Sequence, residues 1–144
     1  MIYSREDFTN ALLVVSSIIL SGVIIFISGE FNKAFPYEIS EATAVRCIIG
    51  EAGNQGEHGM IVLAEALRNR GTTKGVYGCN AKHIDKEPKW VWELALASWR
   101  ASASTGFTKG ADHWENTKTF GEPYWAKSMV MTYEYKDHRF YKER

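Results

Sequence analysis

No charged residue occurs between Phe8 and Gly29. Inside that run, Ala11–Ile27 reads ALLVVSSIILSGVIIFI, with 13 apolar residues, three serines and one glycine. A bilayer-spanning helix needs about 20 largely apolar residues, with a working range of roughly 17–25. The run fits at the short end, and its polar interruptions are small, uncharged and not gathered on one face. A buried core helix is the bland alternative, but a chain of 144 residues seldom hides so long an apolar run. Residues 1–29 are therefore expected to be an N-terminal transmembrane anchor or signal segment. Arg5 is opposed by Glu6 and Asp7 before the run, and Lys33 follows it, so flanking charge sets no clear orientation. Ile27-Ser28-Gly29 is a poor small-x-small cleavage site, which favours retention over cleavage. The domain that follows is expected to be membrane-anchored or exported.

Residues 30–37 read as a short linker and 38–144 as the working domain. From Glu30 onward the chain carries 16 basic and 15 acidic residues, and the whole chain has a formal charge of zero. That balance gives no reason to expect nucleic acid as a partner. About 115 residues bury a real but modest core. Two cysteines are too few for a disulfide-dense scaffold or a four-cysteine zinc site. Cys47 and Cys79 leave two readings open: a disulfide in an exported domain, or two separate buried thiols.

Ser40 is placed to cap a helix starting at Glu41, whose Val45, Ile48, Ile49 and Ala52 recur at helical spacing. The glycine-rich run GEAGNQGEHG breaks it. A second helix reads GMIVLAEALRNR from Gly59, with Gly71 as its terminating glycine. Thr72–Glu87 reads as a long loop. Pro88 opens a third helix, KWVWELALASWRASAS, and its Trp90, Trp92 and Trp99 read as core residues. The tail MVMTYEYKDHRFYK reads as a hairpin around Lys136-Asp137-His138. Helices followed by a terminal hairpin predict a small α+β domain, mainly helical.

Glu51 is the first candidate for chemistry. It closes an apolar helix face, and Ile48, Ile49 and Ala52 would desolvate its carboxyl group and favour the protonated acid. Such an acid can protonate a leaving oxygen. The glycines beside it let a ligand approach closely. The alternative is an ordinary carboxylate at a helix end.

The segment RCIIGEAGNQGEHGMIVLAEALRNR resembles the opening motif of the SleB/CwlJ-type cell-wall hydrolases through Gly50-Glu51-Ala52, Gly59 and Asn69-Arg70. GADHWENTKTFGEPYW resembles a second segment of that family through Gly110, Ala111, His113, Trp114 and Trp125. KDHRFYK resembles its closing motif through His138, Phe140 and Tyr141. The three segments occur in order over 46–141. The chain departs from the family pattern at Gln55, where an acidic residue is usual, and at Asp137, where a glycine is usual.

The resemblance implies a lysozyme-like or lytic-transglycosylase-like domain that cleaves peptidoglycan glycan strands, with Glu51 as catalytic acid. Plain hydrolysis by a carboxylate pair needs a second acid across the bond. Glu57, Glu65 and Asp112 are weak candidates, and Glu65 reads as a solvated or paired mid-helix side chain. A lytic transglycosylase needs only the one acid, which favours that reaction and its 1,6-anhydro product over a muramidase. Gln55, His113, Trp114, Asn116, Tyr124, Trp125 and Tyr141 are the candidate substrate-binding residues. Trp114 can stack on a sugar face or sit in the core; Asn116 can bond an N-acetyl group or make a turn. Four scattered histidines show no ligand spacing, so no metal and no cofactor is expected. Two other classes compete with the enzyme: a catalytically weak peptidoglycan-binding module held at the membrane, and a tethered interaction protein with only the shell of such a domain.

Overall fold

Ser40 caps the first described helix, its Oγ accepting the Thr43 backbone N–H at 3.2 Å. The computed structural model describes residues 39–144; the expected membrane segment and linker lie outside the described residues. None of the described helices is long and apolar enough to cross a membrane.

Helix α1 (Glu41–Ala52) buries Ala44, Val45, Cys47, Ile48, Ile49 and Ala52. Helix α2 (Gly56–Arg70) begins three residues earlier than its apolar pattern predicts. Gly56 makes this possible: it holds φ +78°, which lets the chain reverse immediately after α1. Gly71 ends α2 in the left-handed conformation at φ 68°, its N–H bonding to Leu67 and Arg68 carbonyls. Helix α3 (Lys89–Ala101) follows Pro88 and runs into a short 3-10 turn at Ser102–Ser104.

The three helices share one core. Ile48 and Ile49 of α1, Leu63 and Leu67 of α2, and Val91, Ala95 and Trp99 of α3 are its central residues. Fully burying an Ile or Leu side chain contributes about 1.5–3 kcal/mol. Arg68 fastens the ends of α2 and α3: its guanidinium lies 3.7 Å over the Trp99 ring and donates to the Trp99 carbonyl at 2.7 Å. Trp90 departs from the core expectation and is 62% exposed, because it points off α3 on the side away from α1 and α2's apolar cluster. Trp92 is half-buried and Trp99 buried.

The stretch Thr72–Glu87 holds two short 3-10 turns, Tyr77–Asn80 and Ile84–Lys86. A disulfide joins Cys79 in the first turn to Cys47 of α1. That resolves the cysteine alternatives in favour of the pair.

Three strands complete an α+β domain: β1 (His113–Asn116), β2 (Met129–Tyr135) and β3 (His138–Glu143). The sheet is antiparallel in the order β1-β3-β2. The hairpin is present, with Lys136 at φ 50° in its turn and His138 opening β3. Thr132 bulges out of register between Met131 and Tyr133 and donates to the Thr108 carbonyl at 2.7 Å. Strand β1 was not predicted; its four residues lack the β-branched run that marks a strand. Phe140 of β3 packs on Val62 and Ala66 of α2 with Ala111, which fixes the sheet against the helices. A one-turn helix α4 (Thr117–Phe120) leaves β1, capped by Asn116, whose Oδ1 accepts the Thr119 N–H at 3.0 Å.

Candidate active site

Glu51 lies in the last turn of α1, half-buried. Its Oε1 accepts the Gly78 backbone N–H at 2.7 Å, and its Oε2 accepts the Trp114 indole N–H at 3.3 Å. One support therefore comes from the Tyr77–Asn80 turn and the other from β1.

Two glycines make the first support possible. A Cβ on Gly50 would stand 1.8 Å from the Gly78 carbonyl oxygen, and a Cβ on Gly78 would stand 2.5 Å from Glu51 Oε1. Only at glycine can α1 and the turn come this close, and the Cys47–Cys79 bond fastens them one helical turn away.

The second support depends on α2. Asn69 Nδ2 donates to the Ala111 carbonyl at 2.9 Å, and Arg70 Nη1 to the Asp112 carbonyl at 3.2 Å. These bonds hold the chain just ahead of β1. Arg70 also lies 5.9 Å from the Trp114 ring. The Asn-Arg pair at the end of α2 thus sets where Trp114 meets Glu51.

Two cavities open beside Glu51. The larger, about 460 Å³, is lined by Asn54, His83, Glu87, Asn116 and His138 among others. The smaller, about 210 Å³, is lined by Arg70, Tyr77, His113, Trp114 and Trp125. Glu51 and Glu115 line both. One arm is thus rich in small polar groups and the other in aromatic rings. This is the mixture a polar, ring-shaped ligand requires, because sugar faces stack on aromatics while hydroxyls need donors and acceptors.

His138 is 3% exposed and borders the larger cavity. Burial pushes its imidazole below the ordinary histidine value, while the charges of Glu51 and Asp137 pull the other way. The net direction favours the neutral ring, which can both donate and accept.

The other sequence candidates divide. His113, Trp114 and Trp125 line the smaller cavity and Asn116 the larger. His113 is oriented by its Nδ1 contact with Asp112 at 2.8 Å, and its ring lies 5.6 Å from that of Trp125. Gln55 lines neither cavity; it is 2% exposed and bonds to Asn54 and Asp137. Tyr141 lies beneath the site, 1% exposed, with its ring edge-on to Trp125 at 5.2 Å and its hydroxyl donating to Glu122 at 2.9 Å. Burial, then the Glu122 bond, raises the pKa of that phenol. Its place is support for Trp125. Tyr124 is 86% exposed and lines neither cavity.

The carboxylates considered as partners of Glu51 stand elsewhere. Glu57 is exposed in the first turn of α2. Glu65 is buried, not solvated: it accepts hydrogen bonds from Thr105, Phe107 and Thr108 and so anchors the chain after α3. Asp112 contacts His113.

No family model, no curated protein and no solved structure matches this chain.

Sequence reasoning passed over Gly78, Tyr77, His83, Glu87 and Glu115. Gly78 and Tyr77 sat in a stretch read only as loop. Glu115 was hidden because its strand was. Its neighbour Trp114 was the one signal that the segment borders a site. Among the described residues no cluster of His, Cys, Asp and Glu could hold a metal ion.

Proposed function

We propose that this chain cleaves the glycan strand of peptidoglycan, with Glu51 delivering a proton to the glycosidic oxygen. The observation that carries the reading is the position of Glu51: a half-buried carboxyl, steered by Gly78 and Trp114, where a polar and an aromatic cavity meet. A glycan strand laid across both cavities would bring one bond against this group. Protonation of the bridging oxygen lets the bond to the anomeric carbon break. On this reading the α+β fold is lysozyme-like, as the three resembling segments imply, and the cleft runs between the end of α1 and the edge of the sheet.

The disulfide supports an oxidising compartment, hence an exported or outward-facing domain. The apolar segment at 1–29 would then hold the enzyme at the membrane beside its polymer.

The test uses the full-length chain and its Glu51→Gln variant on purified peptidoglycan, with released fragments identified by mass spectrometry. Fragments cut between sugars by the wild type, and absent with the variant, are expected. Equal binding by both proteins with no fragments from either would point instead to a tethered peptidoglycan-binding module.

A further inference from the structure

Glu51 shares the cleft with two other carboxylates, Glu87 and Glu115. Of all the residues around the two cavities, only Glu51 and Glu115 border both. They reach the cleft from different elements, the last turn of α1 and the edge strand β1. Their engagement differs. Glu51 has both oxygens held by donors from the protein. Glu115 is half-buried, and its Oε1 accepts only the adjacent Asn116 N–H at 2.9 Å. Among the described residues no Lys or Arg pairs with Glu115, although the neighbouring strand carries Arg139 at the paired position. Arg139 is taken by Glu122 and Glu134 instead. Glu115 is thus left with an oxygen free for a ligand or a water.

Glu51 and Glu115, the carboxyl groups that border both cavities from different elements, meet the requirement of glycoside hydrolysis for an acid and a base on one cleft. We propose that Glu115 is the base of a hydrolytic reaction, a step that rests on the glycan-cleaving role of Glu51. Glu115 takes a proton from water as the water oxygen bonds to the anomeric carbon. The bond from that carbon to the bridging oxygen breaks, and its electron pair stays on the bridging oxygen. Glu51 supplies the proton that oxygen requires. One water is consumed per bond, and the product is a reducing end instead of an internal anhydro ring.

The experiment compares the full-length wild type with Glu51→Gln, Glu115→Gln and Glu115→Ala in water enriched in heavy oxygen. Wild-type product is expected to carry the heavy atom at its reducing end. Glu115→Gln is expected to lower kcat by about 100-fold or more while peptidoglycan co-sedimentation is kept, the range for loss of a general base. Azide is expected to restore part of the turnover of Glu115→Ala and to appear in the product as a glycosyl azide, which a merely structural role would not produce. Anhydro products without heavy oxygen, or a Glu115→Gln variant as active as wild type, would overturn the role of Glu115 and leave the Glu51 reading standing. So would a Glu115→Ala variant that azide does not revive. Absence of any cleavage by the wild type would remove both.

Discussion

Gln55 Nε2 donates to Asp137 Oδ2 across 3.3 Å, joining the break between α1 and α2 to the turn between β2 and β3. On the proposed family reading these are the two positions at which the chain departs from the pattern, and they meet in space. An acidic residue at 55 would face the Asp137 carboxylate with like charge; the amide offers it a donor. Lys136 adds to the clasp, its Nζ donating to the Gln55 carbonyl at 2.7 Å. The pair of departures is one local solution, and it keeps His138, next to Asp137, at the wall of the cleft.

The clasp has an acid limit. Lys118 at 3.1 Å, and then Gln55, hold the Asp137 carboxyl below its ordinary value of 3.8. A lowered folded pKa means the unfolded chain binds the proton more readily, so stability rises with pH across that interval. The contribution is fully present above the ordinary value and is lost as pH falls through the folded one. In urea unfolding measured from neutral pH down into the acid range, Asp137→Asn should flatten the acid limb of the stability curve relative to wild type. An unchanged limb would show that Asp137 is not held in this way.

Gly50 and Gly78 should respond differently to alanine. At Gly50 the new Cβ meets backbone, the Gly78 carbonyl oxygen, so α1 and the turn must part. A destabilisation of about 1–3 kcal/mol is expected, as for overpacking elsewhere in protein cores. At Gly78 the new Cβ meets the end of the Glu51 side chain, which can swing aside. Gly78→Ala should therefore keep most of its stability and lose most of its activity. Thermal unfolding and cleavage assays on both variants separate the two effects.

Reduction of Cys47–Cys79 opens a loop with a sequence separation of 32. Chain entropy alone puts its stabilising effect at about 3–4 kcal/mol. Replacing both cysteines with serine should lower the denaturant midpoint accordingly. It should also depress activity further than stability predicts, because the bond holds the turn that presents Gly78 to Glu51. Activity measured where both proteins remain folded would expose that second effect.

Trp114→Phe removes the indole N–H from Glu51 Oε2 while preserving most of the ring's packing in the core. The bond strengthens as Glu51 gives up its proton and becomes a carboxylate; a hydrogen bond to a charged group is worth about 1.5–3 kcal/mol, so kcat is expected to fall about tenfold or more. Steady-state kinetics on soluble glycan fragments, with thermal unfolding as control, is the measurement. A variant with unchanged kcat would assign Trp114 to packing alone.

Much of the helical framework is legible in the chain. Ser40, Pro88 and Gly71 mark helix ends through local backbone chemistry, and the spacing of Val45, Ile48 and Ile49 marks a buried face. Both act over a few residues, so the order of residues suffices to read them. Gln55 and Tyr141 show the limit. Both lie in segments that resemble a site, yet one is a buried clasp and the other a prop under Trp125. Proximity along the chain does not say which way a side chain faces across a turn.

What the sequence determined by itself was local: where helices begin and end, the hairpin, and a glutamate exposed to a glycine-rich break. Tertiary structure decided which distant groups converge on that glutamate. Gly78 is 27 residues away and Trp114 is 63. Their approach depends on two facing glycines, a disulfide, and side chains from the end of α2 that brace β1. Those contacts exist only once the helices pack and the sheet closes over them, because each is made between segments whose separation in sequence carries no signal of their meeting.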